Sequence, residues 1–182
     1  MQYSMTGAEL DRARILELLE QIADTLQGDW LLVGGALVSI WVESRRTTED
    51  IDLIGLRGEV SERLALMDAV HTLGLPIETV NSAADYFVYR IDGWRHEIEV
   101  LQQFEHCTLY RPTPTLFVLL KMRRLSEQDL EDCRAVFAKV RDEQMHLDVE
   151  RLRTALSELA PTEDTRLLVR RDALKELLIQ GV

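Results

Sequence analysis

The apolar positions of the N-terminal half repeat with helical spacing in two segments, with short apolar strands between them. A leading helix is predicted from the capping-box spacing of Thr6 and Glu9 up to Gly28, where its apolar face ends. A second amphipathic helix is predicted over 59–73 and ends at Gly74. Between them the pattern predicts a strand at 30–33, a helix from 36 to about 43, a polar loop at 44–49 and a strand at 50–56.

A β-hairpin is predicted around Asp92-Gly93, a residue pair that favours tight two-residue turns. The flanking segments, 86–91 and 94–101, contain the aromatic and β-branched residues typical of strands. Alternation along the second strand would direct Glu97 and Glu99 to one face. This strand can therefore supply a carboxylate to a site.

The C-terminal part is predicted to be helical, because capping residues recur before its apolar segments. These candidate N-caps are Thr113, Ser126, Asp148 and Thr162. We therefore expect a core with its leading helix over 1–111 and a helical part over 112–182, packed together as one structural unit. The last helix is rich in leucine and could instead cover a partner, either in a homodimer or with a cognate protein.

Composition and charge argue against several classes of function. Of 182 residues, 46% are hydrophobic and 29% charged, as in an ordinary globular protein. No apolar run approaches the ~20 residues that span a bilayer, and the N-terminus lacks the features of a signal peptide, so we expect a cytoplasmic protein with no membrane partner. Cys107 and Cys133 stand far apart and indicate buried thiols. The net charge of −11 opposes tight binding to duplex DNA.

Two short motifs carry the candidate chemistry. Gly34 and Gly35 stand between a predicted strand and helix, where backbone N–H groups and the helix N-terminus attract an anion. Asp50 and Asp52 flank one apolar residue, so an extended backbone directs both carboxylates to the same face. Such a pair repels itself unless a cation lies between, and its oxygen ligands suit Mg²⁺ with bound phosphates.

Together these motifs resemble the nucleotidyltransferase superfamily of the DNA polymerase β type, in which a Gly-Gly or Gly-Ser turn precedes Asp-x-Asp on the next strand. The nearer resemblance is to the minimal bacterial branch with the AbiEii-type toxin nucleotidyltransferases. It is carried by 32–37 and 44–53, and more loosely by Lys121 and 129–132. It implies an α/β (α+β) nucleotidyltransferase fold with a short mixed β-sheet flanked by helices, and allows membership of a toxin–antitoxin system.

The resemblance also implies transfer of a nucleoside monophosphate from an NTP to an acceptor hydroxyl, dependent on Mg²⁺ or Mn²⁺. The catalytic and metal-binding set would be Asp50, Asp52 and a third carboxylate. Glu99 is preferred over Glu97, because Ile98-Glu99-Val100-Leu101 best matches the family pattern, although the family usually has Asp there. The residues expected to contact the NTP are Gly34, Gly35, Arg45, Arg46, Thr48 and Lys121.

Several of these residues also fit purely structural roles. The Arg45–Thr48 loop can be an exposed turn, and Lys121 can extend its ammonium to the surface. Asp129 stands three residues after Ser126, where a capping box would place it, and Asp132 has the position of a helix-surface residue.

The acceptor remains open between a tRNA end, a protein and a small molecule. A cationic set is expected near the site, enough for a triphosphate and a few acceptor phosphates: Arg45, Arg46, Lys121, Arg123 and Arg124. The alternative from another class is a non-catalytic module of the same fold, acting as an antitoxin-like or scaffold partner.

Overall fold

The computed structural model describes residues 9–42 and 45–180. The helices and strands follow in the order α1 (Arg12–Ala23), β1 (Gly28–Val33), α2 (Gly34–Leu37) with a π-helical continuation (Val38–Val42), β2 (Ile51–Gly55), α3 (Val60–Thr72), β3 (Val80–Asn81), α4 (Asp85–Val88), β4 (Ile98–Gln103), β5 (Cys107–Pro112), α5 (Pro114–Met122), α6 (Glu127–Glu143), α7 (Val149–Ser157) and α8 (Thr165–Gln180). Short 3₁₀ turns lie at Ile77–Thr79 and Trp94–His96.

The five strands form one mixed sheet in the order β3-β2-β1-β5-β4. The central strand β1 is buried from Trp30 to Val33, as expected for an uninterrupted apolar strand. It pairs antiparallel with β2 and parallel with β5. β2 also pairs in parallel with β3, so that Asp52 lies between Val33 on one side and Asn81 on the other. The mixed sheet with its flanking helices confirms the predicted fold class.

The described chain forms two compact units. One contains the residues up to Arg90 together with Ile98–Arg111, and the other contains Ile91–Glu97 together with the residues from Pro112 onward. In the first unit, α1 buries one apolar face. That face consists of Ile15, Leu18, Leu19, Ile22 and Ala23. Each buried leucine or isoleucine contributes about 1.5–3 kcal/mol relative to an exposed one.

Helices α5 to α8 make up most of the second unit, and three of them begin at predicted caps. Thr113, Ser126 and Asp148 each accept a hydrogen bond from a backbone N–H in the first turn of α5, α6 and α7. For α8 the prediction was wrong, because Asp164 rather than Thr162 accepts from the first-turn N–H groups. A carboxylate at this position also interacts favourably with the helix dipole.

The hairpin predicted around Asp92-Gly93 was wrong. Gly93 adopts a left-handed φ of 74°, but α4 precedes it and the 3₁₀ turn Trp94–His96 follows it. Trp94 is buried, and Arg151 donates to the Asp92 carbonyl at 2.8 Å. Tertiary contacts within the second unit therefore override the strand preference of these residues.

The leading helix also differs from its prediction. α1 begins at Arg12, and the expected cap Thr6 lies outside the described residues. Leu10, expected on the helix, instead forms an antiparallel backbone bridge with Thr48, with N–H to O distances of 2.7 and 3.1 Å. This bridge connects the segment before α1 to the loop that leads into β2.

Candidate nucleotide and metal site

The turn from β1 into α2 brings Gly34 against the Asp52 side chain. Val33 is paired in register with Asp52, so the following residue must pass beside that carboxylate. A Cβ atom at Gly34 would lie 2.2 Å from Oδ2 of Asp52, and the backbone here has a φ of 72°. Both the space and the backbone conformation therefore require glycine.

Gly35 permits a second close approach, by the loop that precedes Asp50. A Cβ atom at Gly35 would lie 2.7 Å from Oγ1 of Thr48 and 3.3 Å from Nη2 of Arg46. Arg46 also donates through Nη1 to the Thr47 carbonyl. The two glycines thus bring the start of α2 together with three of the predicted site residues, Arg46, Thr48 and Asp52.

Asp50 lies immediately before β2, and hydrogen bonds engage both of its carboxylate oxygens. Thr48 Oγ1 donates to Oδ1 at 3.3 Å, and Asn81 Nδ2 donates to Oδ2 at 3.0 Å. Asp50 and Asp52 flank Ile51, the first residue of β2, so both lie at the end of β2 that is near Gly34. This pair with the glycine turn is the centre of the candidate site.

Asn81 was missed by the sequence analysis. It ends the two-residue strand β3, directly opposite Asp52. Its Oδ1 accepts a hydrogen bond of 3.0 Å from the Ala83 backbone N–H, which fixes the amide so that Nδ2 faces Asp50. A strand of two residues has too short an apolar pattern to be found by periodicity, so nothing in the sequence marked this position.

The start of α1 supports the same region. Besides the bridge between Leu10 and Thr48, Arg12 Nη1 donates to the carbonyls of Ser39 at 3.2 Å and Ile40 at 2.7 Å. These carbonyls belong to the π-helical turn, whose wider i to i+5 pattern is common near functional sites. The guanidinium therefore stabilises the helical segment that follows the glycine turn.

The structure does not bring Glu99 to this pair. Glu99 lies on the edge strand β4, three strand positions from β2 in the sheet order, which corresponds to about 14 Å at ~4.8 Å per strand. Its carboxylate forms an ion pair with Arg111, and the Arg111 guanidinium lies 4.3 Å from the centre of the Trp41 ring. The role of Glu99 as a third ligand stays a prediction.

Glu97 and Glu99 do not share a strand face. Glu97 follows the 3₁₀ turn in the second unit, where its carboxylate accepts hydrogen bonds from Thr113 Oγ1 at 2.5 Å and Arg151 Nη1 at 2.5 Å. The alternation assumed in the sequence analysis required a strand through both residues, and β4 begins only at Ile98.

In the second unit, Lys121 is bound to two buried carboxylates. Its Nζ lies 2.9 Å from Oδ1 of Asp129 and 2.8 Å from Oδ2 of Asp132, whose side chains are 1% and 2% exposed. Lys121 is itself only 12% exposed, so it does not extend to the surface. Asp132 is buried rather than on the helix surface, while Asp129 does form the predicted capping box with Ser126.

Electrostatics favour the charged forms of Lys121 and Asp129. Burial alone would lower the pKa of Lys121, but the negative charges of Asp132 and Asp129 outweigh it and raise the pKa. Burial opposes ionisation of Asp129, yet hydrogen bonds from Arg124 and Lys121 hold the pKa of its carboxyl well below the usual value. Lys121 and Arg124, both expected to face phosphates, thus have carboxylate partners inside the second unit.

The thiols of Cys107 and Cys133 are free and buried, as predicted. Burial, with a contribution from Asp29, raises the pKa of Cys107 to about 11, and burial also raises the pKa of Cys133. Within residues 9–42 and 45–180, no three His, Cys, Asp or Glu side chains are grouped so that they could hold a metal ion together. Among the described helices, none combines the length and apolar character needed to cross a membrane.

A mixed sheet with a glycine turn against an Asp-x-Asp pair defines the nucleotidyltransferase class. The comparisons agree: residues 11–167 match the model of a family described as "Nucleotidyltransferase of unknown function (DUF6036)". The chain belongs to this family. No curated protein and no solved structure matches it significantly.

Proposed function

We propose that the protein is a nucleotidyltransferase that transfers a nucleoside monophosphate from an NTP to an acceptor hydroxyl and depends on Mg²⁺ or Mn²⁺. The observation that carries this proposal is the close approach of Gly34 to Asp52, where a Cβ atom would lie 2.2 Å from the carboxylate. This contact keeps the start of α2 and the acidic pair within one small region, where phosphates and a cation can be bound together.

The donor set fits a hard divalent cation. Asp50 and Asp52 offer carboxylate oxygens, the ligands that Mg²⁺ prefers. Each oxygen of Asp50 accepts one hydrogen bond, from Thr48 or Asn81, and a carboxylate retains further lone pairs for a metal. Asp50 and Asp52 would therefore hold the ion, and a bound cation of this kind neutralises charge on the triphosphate.

The protein's own groups would bind and orient the substrate. Backbone N–H groups of Gly34 and Gly35 would donate to phosphate oxygens. Arg46 and Thr48, which border Gly35, would contact the same phosphates. The acceptor oxygen would form a bond to the α-phosphorus while the bond to the bridging oxygen breaks. Pyrophosphate leaves with that electron pair, and the hydroxyl proton is released to solvent. Arg45, in the adjoining turn, would also contact the triphosphate.

Calorimetry on the whole chain tests the metal and nucleotide site. ATP, CTP, GTP and UTP are titrated separately with and without Mg²⁺, into wild type, Asp52→Asn and the matched control Asp68→Asn. Asp68 is an exposed carboxylate on α3. We expect binding of at least one NTP only with Mg²⁺, its loss in Asp52→Asn and its retention in Asp68→Asn. Equal affinity of wild type and Asp52→Asn would contradict the site.

Acceptor classes are then separated by supplying the preferred NTP with an α-phosphate label. tRNA, the protein itself and small hydroxyl compounds are compared as acceptors, and label transfer identifies the class. AbiEii-like activity in a toxin–antitoxin system would appear as labelling of an RNA end or of a cognate protein.

A second candidate function is a non-catalytic module of this fold, serving as an antitoxin-like or scaffold partner. One observation favours it: in the described part of the chain, an amide, Asn81, lies beside the acidic pair, and no third acidic side chain is grouped with it. NTP binding without label transfer to any acceptor class would support this function over the first.

A further inference from the structure

We propose that Asn81 is a positioning residue: it orients Asp50 toward the divalent cation, and its neutral amide adds no negative charge to that of Asp50 and Asp52. This inference rests on the proposed function, because it concerns the cation of the same site. It adds a residue on β3 that none of the sequence motifs contains.

The geometry defines the orientation of Asn81 from both ends of its amide. Oδ1 accepts the Ala83 N–H at 3.0 Å, so the NH₂ group must face Asp50 Oδ2, also at 3.0 Å. Backbone pairing of β3 with β2 places Asn81 opposite Asp52. The donor therefore reaches Asp50 from the strand beside the one that carries Asp52.

This hydrogen bond and the one from Thr48 act on different oxygens of Asp50. Two donors on separate oxygens restrict rotation of the carboxylate, and such partners of metal ligands typically change metal affinity by 10–100-fold when removed. The Thr48 contact is longer, at 3.3 Å, so the Asn81 amide is expected to be the more important of the two.

The absence of charge on the Asn81 side chain also affects cation binding. An aspartate at this position would add a third carboxylate beside Asp50 and Asp52, raising the negative charge available to cations. The amide donates a hydrogen bond instead and leaves a pair of carboxylates, enough charge to balance one divalent ion. The residue type at 81 thus sets both the orientation of Asp50 and the charge of the site.

Two substitutions separate the contacts of Asn81. Asn81→Ala removes both hydrogen bonds. Asn81→Asp retains an oxygen that can accept the Ala83 N–H, but replaces the donor facing Asp50 with a carboxylate oxygen. Ser82→Ala is the control, because it alters the same turn without touching the Asp50 contact.

Mn²⁺ alone is titrated into the full chain by calorimetry, and melting temperatures establish that each variant is folded. We expect Asn81→Ala to bind Mn²⁺ about 10–100-fold more weakly than wild type. Ser82→Ala should bind like wild type. Asn81→Asp should bind Mn²⁺ more tightly than wild type, or bind a second ion, and should gain more melting temperature from added Mn²⁺.

Unchanged Mn²⁺ affinity in Asn81→Ala, or equal weakening in Ser82→Ala, would overturn the role of Asn81. Binding of a single Mn²⁺ ion by Asn81→Asp, no more tightly than by wild type, would overturn the charge argument. A wild type that binds no Mn²⁺ would overturn the proposed function together with this inference. Conversely, Asn81-dependent Mn²⁺ binding without transfer to any acceptor would contradict only the proposed transfer activity.

Discussion

Replacing Gly34 by alanine tests the contact on which the site depends. Gly34 has a φ of 72°, and an added Cβ would lie 2.2 Å from Asp52 Oδ2. Gly93 supplies a matched control, since its φ is 74° and nothing lies within 4 Å of the corresponding Cβ. Gly34→Ala therefore combines backbone strain with a steric clash, whereas Gly93→Ala introduces the strain alone.

The expected loss of stability follows from the backbone strain and the steric clash. A left-handed conformation costs alanine about 1–2 kcal/mol at either position. Displacing the Asp52 carboxylate to relieve the clash adds about 1–3 kcal/mol at Gly34 only. For a chain of this length each kcal/mol lowers the melting temperature by about 2–4 °C. Gly34→Ala should thus melt about 2–12 °C below Gly93→Ala.

Thermal unfolding followed by circular dichroism measures this difference, and calorimetry measures Mg²⁺-dependent NTP binding by the same variants. Gly93→Ala should bind NTP with Mg²⁺ as wild type does. Gly34→Ala should lose this Mg²⁺-dependent NTP binding, because its Asp52 carboxylate is displaced. Equal melting temperatures for the two variants would refute the steric argument. Unchanged NTP binding in a destabilised Gly34→Ala would refute the link between that contact and the metal site.

Other predictions concern the second unit, the thiols and nucleic acid. Lys121→Ala leaves Asp129 and Asp132 buried without their ammonium partner and should cost about 3–5 kcal/mol in urea unfolding; wild-type stability would contradict this. The lowered pKa of Asp129 contributes stability above the ordinary Asp pKa of about 4, and this stability is lost as pH falls through the folded value. Asp129→Asn should therefore show a shallower loss of melting temperature below about pH 4. Because their pKa values are raised, Cys107 and Cys133 should resist iodoacetamide in the folded protein at pH 8, and rapid alkylation measured by mass spectrometry would argue against their burial. Fluorescence anisotropy should detect no submicromolar, salt-resistant binding to duplex DNA.

The sequence predicted the parts of the fold that local chemistry determines. Apolar periodicity and capping residues located α3, β1 and the starts of α5, α6 and α7, because each signal lies within the element itself. The glycine turn and the Asp50–Asp52 pair were also predicted. Their contact could be anticipated because a strand, a turn and a neighbouring strand follow one another closely in the chain.

Features set by distant contacts were not predictable from the pattern. The segment around Gly93 has strand-forming residues, yet Arg151 and the burial of Trp94 stabilise a turn and a short helix there. Asn81 reaches the candidate site only through its hydrogen bond to Asp50, which lies just before β2. Lys121 was expected at phosphates because it resembles a lysine of the family. Its pairing with the buried Asp129 and Asp132 depends on the packing of α5 against α6, which the pattern does not give.

The strand order has a consequence for biosynthesis. The central strand β1 is synthesised well before its parallel neighbour β5, which begins at Cys107, opposite Gly28. Until the ribosome has synthesised and released that segment, one edge of an apolar strand lacks its hydrogen-bonding partner. Nascent or truncated chains that stop before Cys107 therefore present an aggregation-prone edge, and the sheet that carries the acidic pair is completed after translation has passed β5.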